Sequence, residues 1–327
     1  MTDRPGTWLK TAQPQLLALA AGFLRNTRRI SGVNCPMCTG MPGQGWTECR
    51  DCRGMMIRND LSDRLAFVTY GIKGQQSGHT MHGYKSPHAG PTQRQIVQLL
   101  AGVTLHRHNS CFTSPTHGRP THWTTVPSLS GRAGDHPLVE VMAPILANLT
   151  RQALTPAIAV QSPRAVRPDN FTTPALAGEH ILLIDDTWTT GGHVQSAAGA
   201  LKRAGAGHVT TLVLARWIDP AWDNTAAVIR EHLTADFNPA ICPLHGHPLW
   251  KLSRAEPSGV RTVTGLEAPS AHKRLRGGQE ATLVTPSPPA YEDLARRRPI
   301  GRIVQSSPQQ AVQTWLHLDN CAPGTGM

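Results

Sequence analysis

The sequence predicts an α/β fold built on a doubly wound parallel sheet, and three observations predict it. Four consecutive large apolar residues at 181–184 (I-L-L-I) read as a strand buried on both faces, the pattern of a parallel sheet. An Ala-rich stretch at 194–204 with good helix formers stops at Gly205 and Gly207, and an apolar run at 209–215 completes a βαβ unit. Elsewhere, short apolar segments alternate with helical periods, as crossover connections require.

From the start of the chain, Leu16, Leu17, Leu19, Ala20, Phe23 and Leu24 lie at helical spacing, and Pro14 suits a first turn. A signal peptide is the rival reading, but the polar start with Asp3 argues against it. No run approaches the ~18 apolar residues of a membrane span. A soluble, cytoplasmic protein with no membrane association is expected.

Cys35, Cys38, Cys49 and Cys52 form C-x2-C-x10-C-x2-C. Each pair is a knuckle presenting two thiolates, and four thiolates make a closed structural Zn²⁺ site. The loop between them, with Gly40, Pro42, Gly43, Gly45 and Trp46, has little apolar surface to bury, so metal would supply its order. Two disulfides are the alternative. Cys111, Cys242 and Cys321 lack such spacing.

Residues 66–74 read as a strand with a basic, Gly-rich exit, followed by Tyr84-Lys85. Residues 92–105 carry a helical period capped by Thr92. A strand at 123–126 ends in Pro127-Ser128, with Gly131-Arg132 shortly after. Asp135 then suits the cap of a helix whose interior Pro144 should kink or divide it, and 157–160 reads as a short buried strand. Beyond Arg216 the signal fades to a helix at 229–237. Cys242, His245 and His247 have metal-ligand chemistry, but without a second cluster nearby in the sequence they read as a plain loop.

From about residue 252 the chain is rich in Pro, Ser, Gly and Arg, with K-R-L-R at 273–276 and R-R-R at 296–298. It reads as a mostly disordered basic tail with a short helix at 309–318. The expected organisation is an N-terminal helix (1–30), a zinc-binding module (31–56), an α/β domain (57–250) and the tail (251–327). The net charge of +11 favours anionic partners, either phosphorylated metabolites or nucleic acid.

The candidate site is D-D-T-W-T-T-G-G-H at 185–193. It lies where α/β sheets bind ligands, beyond the carboxyl end of a strand and at a helix N-terminus. Gly191 and Gly192 let the backbone approach an anion, with the amides of 190–193 pointing toward it. Asp185 and Asp186 suit ribose hydroxyls or a Mg²⁺ beside them. Phosphate on one side and a diol on the other describe a ribose 5-phosphate.

This segment resembles the 5-phosphoribosyl-1-pyrophosphate (PRPP) signature of type I phosphoribosyltransferases. The order of motifs is similar to that of the ComF-type (competence protein F) phosphoribosyltransferases: a cysteine quartet, Y-G-I-K-G with a following Y-K, a V-P-S turn with Arg132, R-P-D-N-F at 167–171, and the PRPP loop. The resemblance spans about residues 33–246. It implies the type I phosphoribosyltransferase fold for 57–250, with PRPP and Mg²⁺ bound. Asp185 and Asp186 would hold the ribose, and Thr189, Thr190, Gly191, Gly192 and His193 would cradle the 5-phosphate. Pro127, Ser128 and Arg132 would face the pyrophosphate.

Two departures matter: His193 stands where a Thr is usual, and Thr189 where many relatives carry an acid that handles the acceptor's proton. An amine, or another acceptor needing no strong base, fits better than a nucleobase. Lys73, Lys85, Arg164 and Arg167 are the basic residues best placed for a closing loop, with Trp188 flanking the PRPP loop. The expected activity is phosphoribosyl transfer to an unidentified acceptor with release of pyrophosphate. The alternatives are a PRPP- or nucleotide-sensing regulator and a nucleic-acid-associated protein of DNA uptake that binds through its basic tail.

Overall fold

The computed structural model describes residues 5–246 apart from 87, 130–135, 161, 163 and 223. Arg132, Asp135, His247 and the expected basic tail with its short helix lie outside the described residues. Among those described, strands run at β1 (Arg64–Ile72), β2 (His122–Thr125), β3 (Thr150–Arg151), β4 (Thr155–Pro156), β5 (Phe171–Thr172), β6 (His180–Trp188) and β7 (His208–Ile218). Helices run at α1 (Pro5–Ala20), α2 (Arg50–Arg53), α3 (Gln76–Gly83), α4 (Pro91–Arg107), α5 (Pro137–Met142), α6 (Gly192–Arg203) and α7 (Thr225–His232).

One sheet has the order β1-β7-β6-β2-β3, and every pairing in it is parallel. Helices cover both faces. On one, Leu182, Ile184, Leu212 and Leu214 pack with Leu16 of α1, Leu100 of α4 and Met142 of α5. On the other, Ile181, Leu183, Val209 and Val213 pack with Val194, Ala197 and Leu201 of α6 and with the four cysteines of the N-terminal quartet. Burial on both sides is why the central strand reads as an unbroken apolar run rather than an alternation.

Several boundaries differ from expectation. β6 does not end at the carboxylates but continues to Trp188, because Asp185 to Trp188 stay in register with Val213 to Arg216 of β7. Pro14 lies inside α1 rather than in its first turn. Its ring and missing N–H weaken the helix there, and burial of Ala12, Leu16 and Ala20 against the core holds the two halves together. α4 starts at Pro91 with Gly90 as its N-cap, so Thr92 does not cap it. α5 is capped by His136, whose Nδ1 accepts from the Leu138 N–H at 3.2 Å, and it ends before Pro144. The last helix sits earlier than 229–237, ending at His232.

Residues 157–160 are not a strand. The edge of the sheet is β3, two residues long, and the chain then leaves the sheet, so this apolar quartet has no layer to cover it and Ile158 is fully exposed. The opposite edge, β1, is covered by the chain itself. Asn26 bridges to Thr69, and the Phe67 N–H donates to the Pro243 carbonyl at 3.1 Å. Among the described residues no helix is long and apolar enough to cross a membrane.

Candidate functional site

A cleft of about 560 Å³ opens beyond the carboxyl ends of β2 and β6. Six residues expected in the site from separate motifs line it together: Pro127, Ser128, Asp185, Asp186, Thr189 and His193. An adjoining cavity of about 350 Å³ shares Asp185, Thr189 and His193 with it and is lined in addition by Thr190, Gly191 and Gly192. The two motifs meet because β2 lies directly beside β6 in the sheet, with Thr125 opposite Ile184. Of the four basic residues expected near a closing loop, Lys85 and Arg164 line the cleft. Lys73 instead pairs with Asp219 at 2.6 Å, and Arg167 is exposed, its backbone N–H donating to Ser196 Oγ.

The two carboxylates have different environments, as adjacent strand residues facing opposite sides of a sheet must. Asp186 is 2 % exposed. Lys85 Nζ lies 2.8 Å from its Oδ1, the Tyr84 hydroxyl donates to Oδ2, and His136 Nε2 is 3.6 Å from Oδ2. Burial opposes its charge, yet Lys85, His136 and Tyr84 outweigh that and hold it below the usual carboxylate range. Asp185 is half-buried on the wall of the cleft, and its Oδ1 accepts the Asp186 N–H at 3.0 Å. Burial first, and the charge of Asp186 second, push its pKa well above the usual value. Asp185 is thus the carboxylate left open to the cleft, and a cation beside it would offset the cost of its desolvation. The Tyr84-Lys85 pair was visible in the sequence as a basic exit, whereas nothing marked His136 before the fold placed it.

The loop itself is shaped by close packing. Gly191 is the N-cap of α6 with φ +86°, and a Cβ there would overlap the Trp188 indole. A Cβ on Gly192 would overlap the Arg164 carbonyl, so the segment around Arg164 lies against the helix start. His193 follows in the first turn, its pKa lowered by burial and by Arg164, which makes it a neutral imidazole at neutral pH. Thr189 is exposed at the lip. The free amide end of a twelve-residue helix carries partial positive charge toward this point.

The ligand atoms of Cys35, Cys38, Cys49 and Cys52 all lie within 4.8 Å of one another, and the four thiols are free. The Cys38 and Cys49 sulfurs are 3.6 Å apart. Two thiolates across a tetrahedral Zn²⁺ with bonds of ~2.3 Å would be about 3.8 Å apart, whereas a disulfide requires ~2.05 Å. The donors therefore fit one metal ion rather than two disulfides.

Arg216 of β7, missed by the sequence reading, joins this module to the loop. It is buried, and its Nη1 donates to the carbonyls of Trp188 and Thr189, each at 3.0 Å. Burial works against its charge, but the thiols, Cys38 foremost, hold its pKa above the ordinary arginine value. Gly40 makes room for it, since a Cβ there would overlap the guanidinium. The only signal in the sequence was an arginine inside an apolar run, V-L-A-R-W-I.

No protein-family model matches the chain, and no curated protein matches it either. The chemistry of the cleft therefore carries the functional reading.

Proposed function

We propose that the chain is a phosphoribosyltransferase of the type I, ComF-like kind, binding PRPP with Mg²⁺ and passing the 5-phosphoribosyl group to an acceptor as pyrophosphate leaves. The observation that carries this reading is the meeting, in a single cleft, of the acid pair, the Thr-Gly loop and the Pro127-Ser128 turn. In this reading the amides of the α6 N-terminus and the neutral imidazole of His193 hold the 5-phosphate. Asp185 faces the ribose diol and its Mg²⁺. Asp186, already engaged, orients Lys85, Tyr84 and His136 and so acts as a positioning residue for the cation that meets the pyrophosphate.

Bond breaking at C1′ leaves positive charge on the sugar and negative charge on the departing pyrophosphate. The protein's contribution is electrostatic: Asp185 on the sugar side, Lys85 on the leaving-group side, and Arg164 beside the loop that holds the 5-phosphate. Mg²⁺, when bound, supplies further charge neutralisation on the pyrophosphate oxygens. Thr189 offers no carboxylate to take the acceptor's proton. His82, also on the cleft wall and held neutral by burial and by Lys85, offers an imidazole suited to an amine acceptor. The acceptor itself is a matter of loop chemistry rather than of the PRPP signature.

The test is pyrophosphate release from PRPP and Mg²⁺ in the presence of a pool of amine and nucleobase metabolites. Release dependent on one acceptor class supports transfer. Tight PRPP binding with no release against any acceptor assigns the cleft to sensing instead.

A further inference from the structure

The fold brings together a second group of metal-ligand side chains that the sequence keeps far apart. His108 and Cys111 lie in the turn after α4, and Cys242 and His245 lie in the segment after α7. Ligand atoms of His108, Cys111 and Cys242 all lie within 4.8 Å of one another. The Cys242 sulfur is 3.1 Å from His245 Nδ1. H-x2-C thus meets C-x2-H, supplying the second cluster whose absence in the sequence made 242–247 read as a plain loop.

Three features are those of a ligand set rather than of a chance cluster. First, His108 is 1 % exposed, and its Nε2–H donates to the Pro239 carbonyl at 2.9 Å. That bond leaves Nδ1 as the ring nitrogen with a lone pair, and Nδ1 is buried with no hydrogen-bond partner. A buried orphan acceptor is costly unless something else binds it. A metal-bound imidazole whose other nitrogen donates to a backbone carbonyl is the usual second-layer arrangement.

Second, Cys242-Pro243-Leu244-His245 repeats the local geometry of Cys35-Pro36-Met37-Cys38. In each, the residue four beyond the first cysteine donates its N–H back to that cysteine's carbonyl, from Thr39 at 2.9 Å and from Gly246 at 2.7 Å. Those same residues both take positive φ, +57° at Thr39 and +71° at Gly246. The second segment is therefore bent into the same knuckle as the first.

Third, Cys111 and Cys242 are both free and buried, Cys242 completely. Such thiols are poorly placed for attack on a substrate but well placed to be closed over by a metal.

We propose that His108, Cys111, Cys242 and His245 bind a second Zn²⁺ in a closed Cys2His2 site. Two sulfurs and two imidazole nitrogens suit tetrahedral Zn²⁺, and four protein ligands leave no position for a substrate water. Binding joins the metal to two thiolates, whose protons pass to solvent. Its role is structural. It pins the segment that covers the β1 edge, where Pro243 accepts from Phe67, to the far end of α4. That end lies away from the cleft, because α4 returns antiparallel to the strands it connects. The proposal does not depend on phosphoribosyl transfer.

Zinc analysis of the purified full chain should find two equivalents, falling to one in Cys242→Ser and to one in the Cys35→Ser, Cys38→Ser double variant. If those variants fail to fold, X-ray absorption at the zinc edge of the wild-type protein decides alone. A four-sulfur site and a two-sulfur, two-nitrogen site average to three sulfurs and one nitrogen per zinc. One zinc per chain surrounded by sulfur only would overturn the proposal, as would two zinc ions with no nitrogen ligand.

Discussion

Asp185 and Asp186 are chain neighbours with opposite duties, and their substitutions should separate cleanly. Asp186→Asn leaves Lys85 and His136 beside a neutral amide, so unfolding in urea should show a loss of about 1–3 kcal/mol, the scale of a broken buried charge pair that is partly open to water. Asp185→Asn removes a carboxyl whose ionisation burial disfavours, so stability should hold while Asp185 keeps its proton and rise slightly at higher pH, where the carboxyl would be charged. The sign for Asp185 follows from its raised pKa. The folded state keeps a proton that the unfolded state has already released, so this group's favourable contribution is complete below the unfolded value of ~3.9 and is lost as pH rises through the folded one. Affinity for PRPP·Mg²⁺ should therefore increase as pH rises through the acid range, and Asp185→Asn should flatten that dependence in a calorimetric titration.

His180, buried in β6 between the Gly118 carbonyl and the Thr210 hydroxyl, goes the other way. Burial lowers its pKa to about 4. Its contribution is complete above the unfolded value of ~6.5 and is lost as pH falls through the folded value, about 3 kcal/mol in all. The His180 ring resonance should titrate near pH 4 in the folded chain; a midpoint near pH 6.5 would mean the ring is hydrated.

At the scale of elements, the βαβ unit around the loop was legible because each of its parts carries a strong local signal. An apolar quartet buried on both faces, an Ala-rich helix and a glycine stop each point the same way. The continuation of β6 through D-D-T-W was not legible, since two adjacent aspartates are poor strand formers that end the apolar run, and the register with β7 is what holds them extended. The quartet at 157–160 misled for the opposite reason: it has the composition of a buried strand but lies past a two-residue edge. Gly191 is required by both its φ and the Trp188 ring, so Gly191→Ala should cost about 1–3 kcal/mol in backbone strain and more in displaced packing. Thermal melting should drop, and phosphate affinity with it.

Arg216 makes the loop depend on the cysteine module. Arg216→Met leaves the buried Trp188 carbonyl and the part-buried Thr189 carbonyl without this partner, costing about 1–3 kcal/mol. PRPP affinity should fall while the four-cysteine metal stays bound. Unchanged affinity would show that the module and the loop are neighbours without consequence for binding.

At the scale of the whole molecule, the acids and the Pro127-Ser128 turn were readable as separate motifs. Their meeting was not, because the sequence does not say that β2 lies next to β6. The metal-ligand group at His108 and Cys242 was hidden in the same way, half of it at the end of one helix and half beyond another. In both cases the sheet order β1-β7-β6-β2-β3 and the crossover helices bring distant segments to one end of the fold or the other. The positive balance of the chain suits the anion proposed for the carboxyl end. The proposed role of Asp185 is tested by isothermal calorimetry with PRPP and Mg²⁺ on the wild-type protein and on Asp185→Asn. Wild type should bind PRPP·Mg²⁺, and the variant should bind it 10- to 100-fold more weakly, about 1.4–2.8 kcal/mol. Inorganic phosphate, held by the loop amides, should bind both proteins alike. Equal PRPP affinity in the two proteins, or no PRPP binding by wild type, would contradict that role.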